Sequence, residues 1–263
     1  MRVLIKGAGD LATGIACRLH VCGFEIIMTE SEIPTTVRRT VAFSRAVYED
    51  SAEVEGIVAR RAESAEDAER LLRKGEIPVV ADPAVRFLKQ YKADVVVDAI
   101  IAKKNLGTTM QDAELVIGVG PGFTAGEDCH AVIETKRGHD LGRVIRRGSA
   151  IPNTGIPGEI AGYSIERLIK AEADGEFRAA VQIGDMVEKG EIVAYSGEVP
   201  IYAQMSGLVR GMLQDGVAVQ KGMKCGDIDA RKEKSYCETV SDKARAIGGG
   251  VLEAILAGLS GNL

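Results

Sequence analysis

Gly7-x-Gly9-x-x-Ala12 stands directly after a short β-rich run, Val3-Leu4-Ile5, and before a stretch in which Leu11, Ile15 and Leu19 recur every four residues. This is the dinucleotide fingerprint in its G/A form. The first glycine allows the tight turn, the second lets a pyrophosphate approach the backbone, and the small third residue lets helix and strand pack closely. The helix N–H groups that lack partners would receive the phosphate. Asp10 sits in the same turn and opposes a phosphate unless it caps the helix. Glu30, 21 residues after Gly9, stands where an acid accepts from a ribose 2′-OH. Arg38-Arg39 follows the second strand, and paired guanidiniums suit phosphate or carboxylate. Each feature also has a plainer reading: a βαβ turn that merely keeps its shape, and a solvated arginine pair.

A second Gly-rich segment runs from Gly118 through Gly120 and Gly122 to Gly126. No Gly-Lys-Ser/Thr follows, so it is not a Walker A loop. Its glycines suit an anion-binding nest at the carboxyl end of a sheet, where open α/β folds hold ligands. Cys129-His130 and His139 come next, two of the three histidines and one of the five cysteines within 11 residues. A thiolate activated by histidine is the chemistry this suggests, although neighbours on a strand point to opposite faces. The alternative is a Gly-rich crossover with exposed polar residues. No spacing matches a zinc motif, so no metal is expected.

The elements that must position these residues are read from periodicity. Strands are expected at Phe24–Met28, Val54–Val58, Ile77–Val80, Asp94–Ile101, Leu115–Val119 and Ala131–Glu134. Helices are expected at Ser64–Lys74, from Pro83 onward, at Glu159–Ala173 and at Ser241–Leu256. Residues 1–173 thus read as a Rossmann-like, doubly wound parallel α/β domain. Beyond Asp174 the pattern shortens. Gly184-x-x-Val187-x-Lys189-Gly190 repeats as Gly216-x-x-Val219-x-Lys221-Gly222, an offset of 32 residues. Residues 174–235 are read as a small all-β module like the biotinyl/lipoyl barrel-sandwich hybrid. Ser196 stands where that family carries its modified lysine, so neither biotin nor lipoate is expected. Residues 236–263 are expected to form a C-terminal helix packing back on the body. Gly248-Gly249-Gly250 lies within it, which close approach to another backbone would explain.

Composition limits the partners. The 263 residues carry 33 basic and 38 acidic side chains, a net charge of −5, with 4% aromatics and no Trp. Neither a basic field nor a stacking surface for nucleic acid follows. The longest nearly uncharged stretch, 115–126, has 12 residues, short of the ~20 needed to span a bilayer. The expectation is a cytoplasmic protein with reduced thiols, neither nucleic-acid- nor membrane-bound.

Several longer strings resemble one family. Residues 7–14, 38–43, 118–123, 134–139 and 242–250 are similar to those of YqeB-type accessory proteins of the selenium-dependent molybdenum hydroxylase system, themselves likened to XdhC-like chaperones. The resemblance implies help in maturing a molybdenum hydroxylase client. It implies a nucleotide or molybdopterin cytosine dinucleotide near Gly7, Gly9, Asp10, Ala12 and Glu30, with Arg38 and Arg39 on further anions. The Cys129-His130 pair adds the expectation that Cys129 carries sulfur or selenium as a thiolate adduct. The alternatives are an NAD(P)-dependent oxidoreductase, with His130 or His139 as proton donor, and a non-catalytic docking protein. Homo-oligomerisation is possible.

Overall fold

The computed structural model describes all residues except 83–85, 87–90 and 157. The chain forms two compact units. The first comprises Met1–Pro34, Ala42–Thr154 and Val240–Leu263, and the second Thr35–Val41 and Gly155–Thr239. The boundary expected at 173 therefore falls inside the second unit. The helix expected from Pro83 lies outside the described residues.

In the first unit the strands are β1 (Arg2–Lys6), β2 (Glu25–Glu30), β3 (Ser51–Val54), β4 (Ile57–Arg61), β5 (Ile77–Ala81), β6 (Val95–Asp98), β7 (Leu115–Val119), β8 (Thr124–Ala125), β9 (Ala131–Ile133), β10 (Val144–Ile145) and β11 (Gly148–Ser149). The helices are α1 (Asp10–Val21), α2 (Ala46–Glu49), α3 (Ala65–Arg73) and α4 (Asp242–Leu259). Nine strands share one sheet in the order β10-β9-β7-β6-β1-β2-β5-β4-β3, while β8 pairs with β11 apart from it. The central pairs are parallel, and β10/β9 and β4/β3 are antiparallel. Strand order reverses around β1, which lies between β2 and β6.

The expected fold class needs correction. The nine-stranded sheet is mixed, not wholly parallel, and four α-helices stand among the described residues. The link from β6 to β7 holds only a 3₁₀ turn, Met110–Asp112, so helices do not wind the sheet strand by strand. The span 159–173, expected to be helical, contains the 3₁₀ turn Ile165–Arg167 and a strand, β12 (Leu168–Lys170). Ala161 and Gly162 have φ of +52° and +83°, which no right-handed helix accommodates. Ile169 and Ala171 are both buried, at the two-residue period of a strand. The strand expected at 54–58 is a hairpin, because Glu55 and Gly56 take φ of +52° and +80°, the conformation of a two-residue turn between twisted strands.

The triple glycine in α4 is explained by packing. A Cβ on Gly248 would lie 3.0 Å from Gly14 O, and one on Gly14 would lie 2.6 Å from the Ala244 Cβ. Helices α1 and α4 thus meet backbone to backbone, with Ile15, Ile247 and Val251 buried beside the contact.

The second unit adds β13 (Gly175–Ala179), β14 (Met186–Val187), β15 (Ile192–Ser196), β16 (Val199–Tyr202), β17 (Gly207–Met212), β18 (Ala218–Val219) and β19 (Lys224–Asp229). They form two antiparallel four-stranded sheets, β12-β19-β17-β14 and β16-β15-β13-β18. The repeat occupies matching places: β14 and β18 sit at sheet ends, and Val187 and Val219 are buried in one core with Phe177, Val209 and Ile228. Ser196 is buried, and its Oγ accepts from the N–H groups of Glu172 and Ala173 at 3.1 and 3.0 Å. Among the described residues, no helix is long and apolar enough to cross a membrane.

Candidate functional site

The carboxyl ends of β1, β6, β7 and β9 are joined through their loops. A Cβ on Gly7 would lie 2.9 Å from Ala99 O, one on Gly122 2.6 Å from the Lys104 backbone, and one on Gly120 2.9 Å from Thr135 Oγ1. Gly7 also takes φ of +94°, which glycine alone adopts without strain. At Gly118 the space a Cβ would need is filled by the Phe123 ring, 2.5 Å away. These glycines let neighbouring loops touch.

Beneath the loops lies a buried polar network. Lys6 Nζ donates to Asp112 Oδ2 at 2.7 Å and to Thr108 Oγ1 at 2.8 Å, and Thr108 Oγ1 donates to Asp98 Oδ2 at 2.6 Å. Burial pushes the Asp98 carboxyl above the usual range, against the bonds from Thr108 and the Ile100 N–H. Lys6 and Asp98 end adjacent strands, paired in register.

The Gly7–Gly9 turn makes its own closed set of bonds. Gly7 N–H donates to Thr29 O at 2.7 Å. The Glu30 carboxylate accepts from the Ala8 N–H at 2.9 Å and from Ser31 N–H and Oγ, so three protein donors already engage it. Ala12 is buried. Thr13 Oγ1 donates to Ala8 O at 3.2 Å and accepts the Phe43 N–H at 2.8 Å. Both Thr13 and Phe43 are fully buried. Thr13→Val keeps the shape but orphans the Phe43 N–H, so unfolding in urea should show a loss of about 1–3 kcal/mol.

Arg38 and Arg39 belong to the second unit. Arg38 is buried and donates to Tyr236 O at 3.2 Å, and Arg39 donates to Met212 O and Gln214 Oε1 at 2.8 and 2.7 Å.

The expected catalytic trio divides between the two edges of the sheet. Cys129 is fully buried, and burial pushes its thiol up to about 11; at neutral pH it is protonated. His130 precedes β9 at the amino edge, where its Nδ1 accepts the Val116 N–H at 3.0 Å. It lines a cavity of about 310 Å³ with Asp94, Glu114 and Leu259. His139 is exposed in the loop after β9, at the carboxyl edge.

One residue at the carboxyl edge escaped sequence reasoning. Lys243 lies in the first turn of α4, behind the Ser241 cap. Burial pushes its ammonium below the ordinary lysine value, Asp10 opposes that shift most strongly, and Arg137 adds to it. Glu134 and Asp242 also act to raise it. Glu134 is itself buried, and its oxygens accept the Lys136 and Ile151 N–H groups at 2.7 and 2.8 Å. Arg137 is held by both oxygens of Asp242. Lys243 forms no ion pair or hydrogen bond among the described residues. The one sequence signal was a lysine in the first turn of a helix, where the dipole disfavours a cation.

Among the described residues, no group of three or more His, Cys, Asp or Glu is placed to hold a metal.

No protein-family model matches the chain. It is 54% identical over 254 residues to "Uncharacterized protein YqeB" of Escherichia coli K12, matching 97% of this chain and 47% of that protein. The chain thus spans about half the length of the curated relative it matches. Among solved structures, an aspartoacylase family protein from Mesorhizobium loti is 14% identical, with coverage of 86% of this chain and 84% of that one, at a TM-score of 0.29. A succinylglutamate desuccinylase/aspartoacylase from Rhodobacter sphaeroides is 14% identical over 86% and 85%, at a TM-score of 0.28.

These findings correct the expectation drawn from resemblance. The relative has no described activity for the resemblance to carry to this chain. The role in maturing a selenium-dependent molybdenum hydroxylase is withdrawn, and the NAD(P)-dependent oxidoreductase alternative with it. TM-scores this low carry no activity over to this chain.

Proposed function

We propose that this chain holds a small-molecule site at the carboxyl edge of the nine-stranded sheet, and that Lys243 exchanges a proton with the ligand. Lys243 carries the reading: a half-buried ammonium without an ion-pair partner among the described residues, under the influence of Asp10 of the Gly-rich turn and Glu134 after β9. A lysine moved toward neutrality by burial is suited to general acid–base chemistry. Open α/β sheets bind ligands at this edge. The loop after β6 adds support, since Ile101 and Lys103 take φ of +60° and +63°. A β-branched residue there stores about 1–3 kcal/mol of strain, which tends to gather at functional sites.

Two measurements test this. Acetylation of each lysine, followed by mass spectrometry across pH, should give Lys243 a midpoint below the usual ~10.4. A screen of small metabolites by saturation-transfer NMR should give hits that Lys243→Met loses. Hits indifferent to that change, or a Lys243 that titrates with the surface lysines, would sink the reading.

The shift also sets a sign for stability. Folding lowers the Lys243 pKa, so the unfolded chain holds the proton more tightly between the folded value and ~10.4. Stability should therefore rise with pH across that window, and Lys243→Met should abolish this contribution.

A further inference from the structure

The second unit contains a layer of charge on the face of the β12-β19-β17 sheet opposite its hydrophobic core. Ile228 and Val209 point into that core, so Asp227, Asp229 and Arg210 point away from it. Gly211 makes room for the layer: a Cβ there would lie 2.7 Å from Asp227 Oδ1 and 3.2 Å from Arg38 Cγ. Arg167 and Arg210 are each 7% exposed, and Asp227 is 3% exposed.

Positive charge outweighs negative in this layer. Arg38, Arg167 and Arg210 are buried, and Arg231 and Lys224 reach in from more open positions, against Asp227 and Asp229. Arg231 engages both oxygens of Asp229. Arg210 is left 3.5 Å from Asp229 Oδ2, and Arg167 3.5 Å from Asp227 Oδ2. Hydrogen-bonded pairs of this kind lie at about 2.7–2.9 Å. Burial, and then the charge of Arg38, pushes the Arg210 pKa down, as expected where cations crowd.

Two orphaned atoms define the missing partner. Arg167 Nε is a buried donor and Asp227 Oδ1 a buried acceptor, and neither has a hydrogen bond among the described residues. Lys224 Nζ, 3.7 Å from Asp227 Oδ1, is too far to supply one. Unmade bonds of this kind are rare in folded proteins. A ligand that satisfies both must accept from guanidinium and donate to carboxylate.

We propose that this layer binds a protonated phosphate group, with Arg167 and Arg210 on its oxygens and its P–OH donating to Asp227 Oδ1. The planar forks of arginine match phosphate geometry. The unpaired carboxylate oxygen sets the selectivity: sulfate has the same shape and no proton at neutral pH, so it meets Asp227 as a repulsion. Inorganic phosphate and a phosphomonoester both present this group.

The full chain should be melted at pH 6.5 and constant ionic strength with sodium phosphate, sodium sulfate or sodium chloride. Phosphate at saturating millimolar concentration should raise Tm by about 5 °C over chloride, with sulfate well behind. Equal effects of the three salts would overturn the proposal, and that comparison needs no variant to fold. Arg167→Gln should lose the phosphate effect, and Asp227→Asn should narrow the gap between phosphate and sulfate. Lys243→Met should leave the effect intact; its loss there would assign the anion to the first unit and refute the site. Glycerol 3-phosphate exceeding inorganic phosphate would make a phosphomonoester the ligand, and the reverse order would make it inorganic.

Discussion

Gly250→Ala should destabilise the protein by about 3 kcal/mol or more, while the same change at Gly249 should stabilise it by about 0.5–1 kcal/mol. Both residues lie in the interior of α4, where alanine is ordinarily the better helix former. At Gly249 nothing lies within 4 Å of the added methyl, so the propensity gain stands alone. At Gly250 the methyl would fall 2.1 Å from Gly142 O and 3.1 Å from Ile133 Cγ2. A backbone oxygen at the centre of a packed crossing cannot swing aside as a flexible side chain can. Gly142 shares the constraint, because its own Cβ would lie 2.6 Å from Ala246 O. Thermal melts of the two variants read the contrast directly, with Gly250→Ala lowered by on the order of 10 °C and Gly249→Ala slightly raised. Two variants that melt alike would mean that α4 and the loop after β9 are not in this contact.

Lys6→Met should cost about 3–5 kcal/mol at neutral pH, because it leaves a buried carboxylate without its cation. Lys6 is the donor that joins Asp112 and Thr108, and through Thr108 it reaches Asp98. The loss should shrink as pH falls. Asp98 already sits above the ordinary carboxylate range through burial, so the folded state takes up its proton before the unfolded chain does. Acid therefore neutralises the orphaned group and favours the folded variant relative to its value at pH 7. A second variant separates charge from packing: Lys6→Met with Asp112→Leu should be less destabilised than Lys6→Met alone. Urea melts at pH 7 and pH 5 measure both differences, and a Lys6→Met loss independent of pH would exclude the electrostatic account.

The sequence by itself determined several local elements of the first unit. Apolar runs 95–97 and 115–119 lie in strands that are buried along their whole length, because a strand covered on both faces has no polar side to show. The Ser64 cap, the acidic start and the basic end of α3 are all local chemistry. The repeat in the second unit was legible for the same reason, since a turn and the inward valine beside it need only a few consecutive residues.

Tertiary structure decided the rest. Residues 159–173 carry apolar side chains at spacings open to helix or strand, and pairing of 168–170 with β19 chose the strand. The glycines at 7, 120 and 122 fit an anion loop in sequence, yet it is the neighbouring loops that fill the space beside them. Cys129 and His130 are adjacent in sequence, and the sheet sets them apart from His139 by the length of β9. Lys243 became a candidate only when α4, more than 200 residues from the Gly-rich turn, was packed against α1 and brought to Asp10 and Glu134. The charge layer of the second unit likewise draws on residues 38, 167, 210 and 227, far apart along the chain. Periodicity reports which face of an element is apolar, but burial and charge depend on which distant segment comes to cover that face, and only the folded chain holds that information.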